Sequence, residues 1–290
     1  MIRTTCRTLG VILAIFAAFA LSATASRADD WSKTYSISGR ADLQVHTDDG
    51  DVNIVSADQK QIVAHVTTEG YKIGPNDVRI DENQSGDHVV ITVKTPHLNV
   101  GLFGGIHRAV HVQLTVPREL DLEATTGDGS VNVQPVAGHI QVHTGDGSIH
   151  ADGVRGDVSM HTGDGSIDAR SLDGTLSADS GDGSIRISGR FDGLTINTGD
   201  GSVDASASAG SKMSSPWSLH SGDGSIDLHI PADLSAYVDL KTGDGSINLD
   251  GVSVSVEGSV ERSHIRGNLN GGGAELKITS GDGSIHLTKS

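Results

Sequence analysis

Eight aspartates stand in near-identical surroundings: Asp128, Asp146, Asp164, Asp182, Asp200, Asp223, Asp244 and Asp282 each lie between two glycines and precede Ser and then Ile or Val. A carboxylate there can accept backbone N–H groups of a tight turn, and the flanking glycines permit φ > 0, so its expected role is to hold the turn. The Thr or Ser before the phrase and the Ser after it are expected to bond to the same residues of adjacent repeats. The second chemistry open to such a row is cation binding. Calcium solenoids built on G-G-x-G-x-D-x-U-x place Asp two residues before the buried apolar position, whereas here it stands three before, as in Asp146 to Ile149. One carboxylate per repeat is also fewer oxygens than calcium gathers.

His46, His143, His161 and His220 each precede the phrase, and His143 and His161 are expected to stack in adjacent repeats. Imidazoles bind transition metals, but two outward rings make no closed shell, and Asp179 and Asn197 occupy the same place in other repeats. No nucleophile elbow, zinc motif or isolated carboxylate pair stands out from the repeats. The sequence therefore assigns no catalytic, cofactor-binding or metal residue; calcium is kept as the alternative.

The elements that position these residues follow from the period. The first Gly of the phrase falls at 127, 145, 163, 181, 199, 222, 243 and 281, at spacings of 18, 18, 18, 18, 23, 21 and 38. A fixed period of this size marks a solenoid. Apolar residues recur two apart after each phrase: Val131/Val133, Ile149/Ala151, Ile167/Ala169, Ile185/Ile187, Val203/Ala205, Ile226/Leu228, Ile247/Leu249 and Ile285/Leu287. A second set, Ile140/Val142, Val158/Met160, Leu176/Ala178 and Leu194/Ile196, follows nine places later, with Gly138, Gly156 and Gly174 nine after Gly129, Gly147 and Gly165. Alternation of period two reads as strands with one buried face. The expected fold is all-β, a parallel β-solenoid (β-helix) of ~18-residue coils with two short strands each, right-handed by the default for such crossovers.

Spacings of 23 and 21 imply enlarged loops, one of them at 205–217, and 38 implies two coils with one phrase lost across 251–274. "HTDDGDVNI" (46–54) reads as a worn copy of the phrase. The expected division is a signal peptide at 1–28, an N-terminal β region of capping or first coils at 29–116, and the repeat solenoid at 117–290, with both ends covered. The Gly-rich apolar segment 98–108 is expected to pack over one end, or to be a contact surface.

Arg3 and Arg7 precede an apolar run from Leu9 to Leu21, short for a span of ~20 residues, with small-residue cleavage patterns after it. Cleavage is expected after Ala28, with Ala25 the alternative, and removes the lone Cys6. That leaves 21 − 3 = 18 basic against 37 acidic residues, a charge of −19. Nucleic acid is an unsuited partner for such a chain. No later segment is apolar enough to span a membrane as a helix, so the expected location is periplasmic, extracellular or at the cell surface.

The strand repeats "GDGS[IV]", the segment "VPRELDLEATTGDGSV" (116–131), its echo "IPADLSAYVDLKTGDGSI" (230–247) and the ending "RGNLNGGGAELKITSGDGSIHL" (266–287) resemble the bacterial putative-adhesin family of β-strand-repeat proteins, a domain of unknown function. The resemblance covers most of the chain after residue 28. It implies a β-repeat fold and carries no catalytic or binding residues with it. The expected function is that of an exported, non-enzymatic β-solenoid, an adhesin or structural binding element of the cell envelope. Its expected partner is an envelope or surface component, and its state a monomer or copies in end-to-end contact. A calcium-stabilised extracellular repeat protein is the first alternative, and a polysaccharide-active β-helix enzyme the second.

Overall fold

The computed structural model describes residues 29–96, 108–256 and 262–290. The expected signal peptide, and the apolar segment 98–108 apart from Arg108, lie outside the described residues.

Seven strands come first: β1 (Asp29–Ser36), β2 (Ala41–Thr47), β3 (Asp51–Ala57), β4 (Gln61–Glu69), β5 (Arg79–Ser85), β6 (His88–Lys94) and β7 (Ala109–Pro117). The regular part holds β8 (Glu119–Thr126), β9 (Val131–Val133), β10 (Ala137–Thr144), β11 (Ile149–Asp152), β12 (Arg155–Thr162), β13 (Ile167–Ser180), β14 (Ile185–Thr198), β15 (Val203–Ala207), β16 (Trp217–Ser221) and β17 (Ile226–Ile230). Then follow β18 (Ala236–Thr242), β19 (Ile247–Asp250), β20 (Val254–Val256), β21 (His264–Leu269), β22 (Glu275–Ser280) and β23 (Ile285–Lys289). All regular structure among the described residues is strand.

In the regular part each strand pairs in parallel with the one 18 residues further on, as in Ile140↔Val158 and Ile149↔Ile167, or 23 further on where the enlarged loop intervenes, as in Leu194↔Trp217 and Val203↔Ile226. One ladder runs β8–β10–β12–β13–β14–β16 along strands that precede the phrase. The other runs β9–β11–β13–β14–β15–β17 along strands that follow it, with β13 and β14 long enough to serve both. Stacking equivalent residues at the ~4.8 Å strand spacing turns each inward apolar position into a column. Those columns form one buried core in which Ile149, Ile167, Ile185, Val203 and Ile226 are all fully buried. With so few aromatics, aliphatic side chains fill most of it; the buried aromatics are Tyr35 and the pair Phe191 and Trp217, edge to face at 6.3 Å.

At both ends the spatial order departs from the chain order. The worn phrase at 46–54 does stack on the first full one, Thr47↔Thr126 and Val52↔Val131. Its other side is taken by later residues, for β2 also pairs β6 and β3 also pairs β7. At the C-terminus, β22 and β23 lie between β16/β17 and β18/β19. The reading of 251–274 as a coil that lost its phrase is thus corrected: its described strands β20 and β21 run antiparallel, β21 on β18 and β20 on β21. The spacing of 38 measures an excursion across the end of the stack and a return into it. Antiparallel β5, β4 and β1 cover the N-terminal end in the same manner. Ile247 and Leu249, alone among the eight apolar pairs, are only half-buried, because β19 is the last strand of its ladder.

Candidate functional site

The phrase forms one edge of the stack. First-glycine N–H groups donate to the carbonyl of the coil before, in the order Asp48, Gly127, Gly145, Gly163, Gly181, Gly199, Gly222, Gly281 and Gly243, at 2.6–2.7 Å. Behind this line runs a column of buried hydroxyls: Thr126, Thr144, Thr162, Ser180, Thr198, Ser221, Ser280 and Thr242. Each donates from Oγ to a glycine carbonyl of the preceding coil, at 2.7–3.0 Å. In six of these coils the same oxygen accepts the N–H of its own second glycine, at 2.9–3.2 Å, and in the worn copy Thr47 Oγ1 accepts the N–H of Gly50 at 3.2 Å. Those six hydroxyls tie their own turns shut and link them to the neighbouring coil.

This corrects the part expected of the aspartates. All eight are exposed, and none of their carboxylates makes a hydrogen bond or ion pair; the turn is held by the Thr or Ser hydroxyl. The glycines are corrected too. None of the phrase glycines has φ in the left-handed region; they are needed because coils meet there backbone to backbone, and a Cβ on Gly147 would stand 2.0 Å from the Gly129 carbonyl oxygen. Positive φ belongs to the opposite corner, at Gly138, Gly156 and Gly174, with φ of 147°, 109° and 137°. Parity held the missing signal: Thr144 stands two places after Val142, on the inward side, where a conserved-in-register hydroxyl needs buried partners.

Sequence reasoning placed the histidines well. His143 and His161 stack with ring centroids 4.9 Å apart and planes 4° from parallel. Partial burial, with the adjacent His161 adding to it, holds the His143 pKa below its usual value. Asp179 stands beside His161 in the same column and accepts from Ser177 Oγ and Asn197 Nδ2. Among the described residues no three His, Asp or Glu side chains gather as a metal site.

The outer face of the strands after the phrase carries a shallow groove that sequence reasoning missed. Its larger part, about 450 Å³, is lined by Asn132, Gln134, His150, Asp152, Asp168 and Arg170. It continues past Asp168 and Arg170 to Arg186, Ser188, Asp204 and Ser206. These side chains alternate with the buried apolar pairs, so the columns that fill the core also set their spacing. On the corner beyond, Arg190 donates from Nε to Asp173 and from both terminal nitrogens to Asp192, at 2.7 and 2.9 Å, and this guanidinium holds the Asp192 carboxyl below the usual range.

Parallel strands stacked in register, corner on corner, define a repeat β-protein with an unbroken polar edge. The chain belongs to the Toastrack DUF4097 family, which matches residues 40–288. No curated protein matches it. Solved structures that resemble it include a "putative adhesin" from Parabacteroides merdae, 11% identical with TM-score 0.48 over 89% of this chain and 96% of that one. A "putative lipid binding protein" from Parabacteroides distasonis is 14% identical, with TM-score 0.47 over 89% and 96%. A "putative cell adhesion protein" from Clostridium sporogenes is 14% identical, with TM-score 0.32 over 91% and 100%. No helix among the described residues is long and apolar enough to cross a membrane.

Proposed function

We propose that this is an exported, non-enzymatic binding element of the cell envelope, which engages an envelope or surface component through many weak, equivalent contacts along its coils. The observation that carries this reading is the row of eight exposed phrase carboxylates, each without an internal partner, repeated at the strand spacing on a backbone-bonded edge. Groups that stabilise nothing inside the fold and recur in register suit multivalent binding, in which each added contact raises avidity without new chemistry. The net charge of −19 after removal of residues 1–28 turns this edge away from nucleic acid.

Retention of the 29–290 protein on isolated envelope fractions tests this. Retention should fall stepwise as one and then two 18-residue coils are removed from the middle. No retention at either low or high salt would overturn it. The same carboxylates favour, as a second reading, stiffening by calcium outside the cell; a melting midpoint unmoved between calcium and chelator would sink that reading.

A further inference from the structure

We propose that the groove on the face after the phrase is a binding site for a neutral, polyhydroxylated chain, a glycan lying along the stack. The inference deepens the binding reading above and rests on it, though it concerns a different surface from the Asp edge.

The groove's charges are interleaved. Asp168, Arg186 and Asp204 stand side by side on successive strands, as do Asp152 and Arg170. Cross-strand neighbours of opposite charge ordinarily pair and support a sheet. Here only Arg170 and Asp168 do so, at 2.9 Å and along one strand rather than across. The side chains of Arg186, Asp204, Asp152 and His150 have no hydrogen bond or ion pair. These exposed groups are therefore available to a ligand.

Their arrangement selects its chemistry. Three carboxylates against two guanidiniums leave the site close to neutral, and each arginine has an aspartate beside it, so an anionic ligand gains at one residue and loses at the next. The lining has no Phe, Tyr or Trp, and its apolar members are only Pro135, Ala151, Ala169 and Ile187. A sugar hydroxyl is both donor and acceptor: it can give its hydrogen to Asp204 or Asp152 while accepting from the fork of Arg186. Asn132, Gln134, Ser188 and Ser206 extend the same two-way bonding along the groove. Coils repeat every ~4.8 Å, close to the length of one pyranose unit, so successive sugars would meet successive coils. Without stacking platforms, affinity comes from the number of units bound.

The test is binding of immobilised protein to neutral hexasaccharides (cellohexaose, maltohexaose and chitohexaose), with polygalacturonate and heparin fragments as acidic counterparts. A neutral hexasaccharide should bind more tightly than its trisaccharide. Arg186→Ala and Asp204→Asn should each weaken it at least tenfold with an unchanged melting midpoint, and Arg186→Lys should weaken it as well, since charge without the fork is not enough. Asp146→Asn and Asp164→Asn, on the Asp edge, should leave saccharide binding intact, so loss of envelope retention in those variants separates failure of the edge from failure of the groove. Preference for the acidic fragments would overturn the neutral-ligand assignment. Binding of none of the set, or no effect at Arg186 and Asp204, would overturn the site.

Discussion

In the middle of this molecule neighbours in sequence are neighbours in space; at its two ends they are not. Between residues 119 and 205 each coil rests on the one 18 residues away, so any coil resembles any other. At the N-terminus the first coil, β2/β3, is enclosed by β6/β7 and β8/β9, and at the C-terminus the last, β22/β23, is enclosed by β16/β17 and β18/β19. A plain spiral would leave its termini at its open edges, where single strands fray and recruit other chains. Here the coils β2/β3 and β22/β23 are each held on both sides, and the strands that cover the ends, β1, β4 and β5 at one and β20 and β21 at the other, run antiparallel.

Two deletions of equal length break the comparison most sharply. Removal of 145–162 joins Thr144 to Gly163 in register and should leave one cooperative urea transition, as loss of an interior repeat unit does. Removal of 273–290 takes β22 and β23 out from between two coils, and should cost more than about 5 kcal/mol or abolish cooperativity. Equal losses in circular dichroism would show that the enclosed coil matters no more than an interior one.

Next comes Gly147→Ala, which sets a Cβ 2.0 Å from backbone and should cost roughly 3 kcal/mol. Gly74→Ala, in the N-terminal region where a Cβ meets nothing within 4 Å, should change stability by less than about 0.5 kcal/mol. Within one turn, Thr162→Val strands the Gly165 N–H and the Gly147 carbonyl and should cost about 1–3 kcal/mol. Asp164→Asn should fall within about 0.5 kcal/mol of the parent; a larger loss from the Asp than from the Thr would restore the carboxylate as the holder of the turn.

The smallest effect is pH dependence, which differs between middle and end. The depressed His143 pKa makes the folded state the weaker proton binder, so its contribution is present above the ordinary histidine value of about 6.5 and is lost as pH falls through the folded one. Asp239, in the C-terminal region, is partly buried, which raises its pKa, but bonds from His264 and Arg266 outweigh this and lower it. Its contribution is present above about 3.9 and disappears only as pH falls through the folded value below that. Melting midpoints should therefore decline first as pH falls below about 6.5, a step that His143→Gln removes, and again below about pH 4, a step that Asp239→Asn removes.

Much of this was legible in the sequence, because repetition makes parity and period visible. The 18-residue spacing, the inward pairs from Val131/Val133 onward and the stacking of His143 on His161 all follow from aligning the repeats, since parallel strands in register must put like on like. What each residue does in the turn was less legible: Gly-Asp-Gly suggests a carboxylate bonding to its own loop, and only backbone-to-backbone contact between coils shows why glycine is required and why the buried hydroxyl does the bonding. The groove was hidden because its residues vary from coil to coil, Asn132, His150, Asp168, Arg186 and Asp204 in one column, and variation within a repeat reads as neutral surface. The order of coils at the ends was beyond sequence altogether. Every copy of the phrase offers the same edges, so local pattern cannot say whether the coil at 281 follows the one at 243 or enters beneath it. The chain by itself determined the coil, its period and its inward residues, since these depend on local alternation. Tertiary structure alone decided which coil lies next to which at the termini, because that depends on how the returning segments satisfy open strand edges.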